Sequence, residues 1–255
     1  MDETRDDLPR ALVINLASRP DRWAAVCSAW RGILRLERLE AVVGARGGAD
    51  GCMRSHLAAM ARLRDTDADA ILVLEDDAEP IARELPQLRE ALVSLGVVRA
   101  AAPTATQARL PPDWIVANLG PLVTWSPPGD APTHRNVVHG TPFLALTSAV
   151  ASHALVYHRR VLDVLPALAL AHERGFQVAD RWYSDAGRPR VLAPSTILVR
   201  QAVSRSDIAN QGLDPRPRDY RVDFQRSARA LEGAFSNERR MRRLLARAAA
   251  RAAAP

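Results

Sequence analysis

Residues 70–77 read Ala70-Ile71-Leu72-Val73-Leu74-Glu75-Asp76-Asp77, five apolar residues in a row and then three carboxylates. An apolar run with no polar alternation suits a strand covered on both faces, as in a parallel sheet between two layers of helices. Outward from it, Ala11-Leu12-Val13-Ile14-Asn15-Leu16 predicts a similar strand, entered after Pro9 and left at Ser18-Arg19-Pro20. From Asp21, helical periodicity runs through Arg22, Trp23, Val26 and Trp30 and stops at Gly32. A short strand is predicted at Leu39–Val43, then a glycine-rich loop over Gly44–Gly51 and a helix from His56 to Arg64. Beyond the acidic triplet, Glu84–Gly96 and Arg160–Gly175 predict helices, and Trp114–Leu119, Ala154–Tyr157 and Ser195–Gln201 predict strands. Residues 101–112 and 121–142 hold most of the proline and glycine punctuation and predict long surface loops.

Strands alternating with helices predict an α/β fold. The expected architecture is one Rossmann-like domain over residues 8–220, with a mostly parallel central sheet, helices on both faces and a helical tail at 221–255.

The chain is 255 residues long and 47% hydrophobic, ample for a real core. Its two cysteines, Cys27 and Cys52, exclude a disulfide-dense scaffold and a cysteine-rich zinc module. Residues 1–7 are acidic and carry no apolar segment, so a secretory signal is not expected. No stretch approaches the roughly 18 apolar residues of a membrane-spanning helix. These features together lead us to expect a soluble cytoplasmic protein.

All 35 basic residues are arginine, a compositional bias that makes arginine abundance weak evidence for nucleic-acid binding, and no specific nucleic acid is expected. The charge is unevenly placed. Residues 221–255 carry nine arginines against three carboxylates, which accounts for the whole net charge of +6, and the body is neutral. From Asn237 the tail is rich in helix formers, with Met241, Leu244, Leu245 and Ala248 at helical spacing. Two readings stand: peripheral contact of residues 237–255 with an anionic membrane, or a solvated terminal helix.

The triplet at the end of the apolar strand carries the chemistry. Ligands in open α/β sheets collect outside the carboxyl ends of the strands. Two full charges about 5 Å apart repel by roughly 3 kcal/mol at an effective dielectric near 20. A divalent cation removes that repulsion, and hard Mg²⁺ or Mn²⁺ suits carboxylate oxygens. The competing reading is an acidic helix start, with Asp77 as its cap.

Four separated pieces, in order, resemble the family 25 glycosyltransferases, which include lipooligosaccharide and collagen galactosyltransferases. They are Val13-Ile14-Asn15-Leu16 with Arg19-Pro20-Asp21-Arg22; Gly51-Cys52-Met53-Arg54-Ser55-His56-Leu57; Ile71 to Asp77; and Ser152-His153-Ala154 with Ser206-Asp207-Ile208. The resemblance covers roughly residues 11–208, poorly over 97–142, and leaves out the tail. It implies a GT-A fold and inverting transfer of a sugar, most often galactose, from a UDP-sugar. The acceptor would be a hydroxyl on a glycan, a glycolipid such as lipooligosaccharide, or a hydroxylated protein.

On that basis Glu75 and Asp77 are metal ligands, with His153 as a third, since a late histidine commonly completes such a site. The rival for His153 is a strand-edge histidine bonded to backbone. Asn15, Arg19, Arg22, Ser55, His56 and Asp76 are the nucleotide-sugar-binding candidates. Arginine suits a diphosphate because its planar fork donates in pairs. Arg22 also suits a helix-capping or carboxylate-pairing role, and His56 a structural one. Asp180 and Asp185 are the candidate general bases, although Asp180 also has arginine neighbours to pair with. Cys52 is expected to be a packing residue, since nothing in the sequence offers it a basic partner. Two other classes remain: a transferase-like binding protein that has lost turnover and docks through its tail, and a nucleotide-handling hydrolase or nucleotidyltransferase.

Overall fold

The computed structural model describes residues 8–98, 104–122, 137–138, 140–146, 149–175, 191–202 and 221–252. In chain order the elements are β1 (Arg10–Asn15), α1 (Pro20–Ala29), β2 (Arg35–Glu40), α2 (Gly48–Ala61), β3 (Ala70–Glu75), β4 (Ala78–Pro80) and α3 (Leu85–Ser94). They continue with β5 (Val116–Asn118), β6 (Phe143–Leu146), β7 (Ala154–His158), α4 (Val161–Glu173), β8 (Val191–Pro194), β9 (Val199–Gln201) and α5 (Arg221–Ala252).

Seven strands form one sheet in the order β2-β1-β3-β7-β5-β8-β6. The β1–β2, β1–β3 and β5–β8 pairs are parallel, and β7 and β6 run antiparallel to their neighbours. Five of the seven strands therefore share one direction, and the fold is the mostly parallel α/β class expected.

Strand alternation divides the interior into two cores, because successive side chains point to opposite faces. On one face Val13, Leu72, Leu74 and Val156 meet Val26 and Trp30 at the end of α1 and Leu88 and Leu92 of α3. On the other, Leu12, Ile14, Val73 and Tyr157 meet Met53 and Met60 of α2, Val161 and Leu165 of α4, and Phe224 and Leu231 of α5. Helices thus cover both faces, and the β3 run is apolar throughout because both its sides face protein.

Connectivity places the site. From β1 the chain crosses by α1 to β2 on one side, then returns by α2, on the opposite face, to β3 on the other side. The sheet order switches direction there, and the carboxyl ends of β1 and β3 flank a crevice of the kind that binds ligands. Two contacts fix its rim. The fully buried Trp30 donates from Nε1 to the Ala78 carbonyl at 2.9 Å, clamping β4 against the end of α1. The strands β4 and β9 pair antiparallel as a separate two-stranded sheet beside the crevice.

Several expectations are corrected. The second strand is Arg35–Glu40 rather than Leu39–Val43. It is a sheet edge with only Leu36 and Leu39 half-buried among its charged residues, so it lacks the apolar run of an inner strand. The helix expected at His56 starts at Gly48 and absorbs half of the glycine-rich loop. The acidic triplet ends β3 and turns into β4, and does not open a helix. Residues 195–201 do not form one strand, because β8 ends at Pro194 and β9 begins at Val199. The proline-rich stretch leads into β6, whose Phe143 and Leu144 are fully buried. Finally, α5 begins at Arg221, and its first half contributes Phe224, Leu231 and Ala234 to the core. Among the described residues no helix is long and apolar enough to cross a membrane.

Candidate active site

A cleft of about 400 Å³ opens at the switch point, within the size range of small-molecule sites, about 300–1,000 Å³. Its floor is Ile14 and Glu75-Asp76-Asp77 from the ends of β1 and β3, with Arg22 of α1 and Gln201 of β9 beside them. One wall is Ala41-Val42-Val43 after β2, apolar and open, with Val43 83% exposed. The remaining wall is the first turns of α2, from Gly47 to Ser55.

Glycine is required at two points of this wall. A side chain on Gly44 would come 2.2 Å from the Gly51 nitrogen, and one on Gly51 would come 2.4 Å from the Val42 carbonyl. The loop after β2 can therefore lie flat on α2 only without those carbons. Ser55 pins the same junction: its hydroxyl donates to the Gly51 carbonyl at 2.7 Å and accepts from the Val42 amide at 2.9 Å. Ser55 lines the cleft, but its oxygen is spent on the wall.

The three carboxylates diverge. Asp76 turns toward α1, accepting from Arg22 at 2.8 Å and from the Asn15 amide at 2.7 Å. Burial raises its pKa, opposed by those two donors. Glu75 turns toward α2, where its Oε1 meets His56 Nε2 at 3.4 Å and Cys52 Sγ at 3.7 Å and accepts from the Ser152 hydroxyl. Burial acts to raise Glu75 as well, but the His56 and Ser152 bonds and the His56 charge outweigh it and hold the carboxyl at about 2. Asp77 is buried between. Its Oδ2 accepts from the Gln201 amide at 2.9 Å and lies 3.9 Å from Arg22, whereas its Oδ1 has no hydrogen-bond partner among the described residues. Burial, and then the Glu75 charge, push Asp77 up to about 7.

Arg22 thus meets Asp76 on the cleft floor, whereas Asn15 bonds Asp76 without lining the cleft, and among the described residues its buried Oδ1 has no partner. Arg19 folds onto Asp21 at 2.9–3.0 Å and does not line the cleft. His56, fully buried, reaches the cleft through Glu75, and its Nδ1 is 2.8 Å from the Tyr157 hydroxyl. His153 is also fully buried, with Nε2 3.3 Å from the Val199 carbonyl, Nδ1 without a partner among the described residues and its ring against Phe224. Burial lowers its pKa. It touches the triplet through backbone, its carbonyl accepting from the Glu75 amide at 2.9 Å. Asp180 and Asp185 lie outside the described residues.

Three further residues belong here. Cys52, expected as packing, faces the carboxylate and lines the cleft. Its position four before His56 on one helix was the available signal. Ser152 precedes a singled-out histidine, whereas Gln201 carried no sequence signal at all.

The residues fit a divalent cation. Asp77 offers a buried oxygen that nothing among the described residues satisfies, beside a second carboxylate held ionised. Buried charge without a partner is expensive, and a cation relieves both groups together.

No family model matches the chain, and no curated protein matches it. Among solved structures it is similar to a glycosyltransferase involved in the glycosylation of the major capsid of PBCV-1, at 11% identity and a TM-score of 0.43. That likeness covers 78% of this chain and 94% of the other.

Proposed function

We propose that this chain is a metal-dependent inverting glycosyltransferase of the family 25 type, with a GT-A-like domain. It moves a sugar, with galactose the first candidate, from a UDP donor to a hydroxyl on a glycan, a glycolipid or a hydroxylated protein. One observation carries this reading: a buried carboxylate with an oxygen unsatisfied among the described residues, beside a second carboxylate, at the floor of a cleft on the sheet's switch point.

In this reading Glu75 and Asp77 hold Mn²⁺ or Mg²⁺, which when bound stabilises as a Lewis acid the charge gathering on the departing diphosphate. Arg22, anchored on Asp76, presents its guanidinium to the phosphates. Asn15 fixes the rotamer of Asp76, whose carboxylate then suits a ribose hydroxyl. The open apolar wall at Ala41–Val43 takes the flat face of the base. Asp180, with Asp185 near it in sequence, removes the acceptor proton. The exposed Arg239, Arg240 and Arg243 of α5 attach the enzyme to the anionic face of a membrane from the cytoplasm, where a lipid-linked acceptor would be met.

A panel of nucleotide sugars tests the donor by thermal stabilisation, since a ligand that binds only the native state raises its melting point by mass action. UDP and UDP-galactose are expected to stabilise the protein with Mn²⁺ and to do so far less after chelation. A panel in which no nucleotide sugar shifts the melting point removes the reading.

A further inference from the structure

The Glu75 side of the triplet has a chemistry of its own. Cys52 and His56 stand four residues apart on α2, so their side chains project from one helix face toward the end of β3. Sγ, Nε2 and Glu75 Oε1 all lie within 4.8 Å of one another, with Sγ and Nε2 at 3.7 and 3.4 Å from the oxygen. A tetrahedral zinc ion, with sulfur at about 2.3 Å and nitrogen or oxygen at about 2.0 Å, spaces its ligand atoms by about 3.3–3.5 Å. The two edges that meet at the Glu75 oxygen therefore stand within a few tenths of an ångström of those of such a site, and the third, from sulfur to nitrogen, is no longer than 4.8 Å. The other ring nitrogen of His56 meets the Tyr157 hydroxyl at 2.8 Å, the outer partner that sets the ring and tautomer of a metal-bound histidine. Cys52 and Glu75 both line the cleft, which leaves a path for an ion to enter.

We propose that Cys52, His56 and Glu75 form a second cation site, of softer character than the Asp77 corner: a three-ligand zinc-type site whose fourth position opens on the cleft. A thiolate and an imidazole select zinc, cobalt or cadmium over magnesium, because borderline and soft ions prefer sulfur and nitrogen donors. Binding takes the thiol proton off Cys52 and releases it to solvent. The trio uses only one oxygen of Glu75, so the site stands beside the proposed Mn²⁺ position and goes beyond the proposed function.

The test is a Co²⁺ titration of the full chain after chelator treatment, read by absorption. Wild type is expected to show a sulfur-to-cobalt charge-transfer band and the strong visible bands of four-coordinate cobalt, both erased by Zn²⁺. Cys52→Ser should lose the sulfur band with its circular dichroism unchanged, Cys27→Ser should keep it, and Tyr157→Phe should weaken Co²⁺ binding about tenfold. Should Cys52→Ser not fold, mapping alkylation of the wild type replaces it, with Zn²⁺ expected to protect Cys52 and not Cys27. Wild type without the sulfur band at saturating Co²⁺, a band retained by Cys52→Ser, or equal alkylation with and without Zn²⁺ overturns the site. Mn²⁺-dependent UDP binding, measured on the same samples, separates the two proposals. That binding without a sulfur band defeats this site alone, and a sulfur band without it defeats the proposed function alone.

Discussion

This molecule buries two aspartates, Asp50 and Asp77, and treats them in opposite ways. Asp50, in the first turn of α2, accepts from Arg46 at 2.8 Å, Arg54 at 3.2 Å and His172 at 2.8 Å. Burial acts to raise its pKa, but these donors win and hold the carboxyl well below the usual range. Arg46 also reaches the His172 carbonyl at 2.8 Å, so the cluster fastens α2 to α4. Among the described residues Asp77 has a hydrogen-bond donor on one oxygen only, and its pKa moves up. Where a carboxylate serves the fold, the sequence surrounds it with cations. At Asp77 it stops short, with Arg22 at 3.9 Å on the oxygen that Gln201 already holds, and the deficit on the other oxygen suits an ion supplied from outside.

The contrast can be broken most directly at the cleft. Replacing Glu75→Gln together with Asp77→Asn should lower release of UDP from its sugar donor by about 10³-fold, since a transition-state charge loses its stabiliser, while circular dichroism stays native. Turnover at the wild-type rate would mean the deficit has no chemical purpose. At the other pole, Asp50→Asn should lower the melting temperature by several degrees and leave Mn²⁺-dependent UDP affinity near wild type. The reverse pattern, an unshifted melting point with lost affinity, would invert the roles assigned to the two aspartates.

A pH series sharpens the same contrast. The folded-state pKa of Asp77 lies above its unfolded value, so the folded protein holds that proton more tightly. The resulting stabilisation is complete below pH about 4 and is lost as pH rises toward 7. In metal-free protein Asp77→Asn should therefore gain in melting point on wild type across that window, and Mn²⁺ should close the gap. A gap that is constant with pH would show that Asp77 ionises as it does in water. The smallest effect is expected at the tail. Deleting residues 237–255 should reduce binding to anionic vesicles several-fold at low salt and spare activity on a soluble acceptor, and equal vesicle binding by the two chains would remove the membrane role.

Much of this was legible before any coordinates. The inner strands β1 and β3 bury both faces, so their apolar runs stand out, and Pro20 at the first position of α1 marks that helix start. The edge strand β2 was not legible in place, because its solvent side is charged and the neighbouring Val42 and Val43, which belong to the cleft wall, imitate a strand. Nor was the start of α2. Gly44 and Gly51 are there for close backbone approach, a tertiary demand that locally looks like a loop. Of the site, the acidic triplet announced itself. The divergence of its three members did not, since Arg22, Gln201 and Cys52 reach it from three different elements.

Calorimetric titration of UDP into the wild type and Asp77→Asn, each with Mn²⁺ and after chelation, tests the acidic corner most directly. The wild type should bind UDP at least about tenfold more tightly with the metal, a gap of about 1.4 kcal/mol, and Asp77→Asn should show no such gain. Equal wild-type affinity with and without Mn²⁺, or an Asn variant that keeps the full gain, would contradict the account.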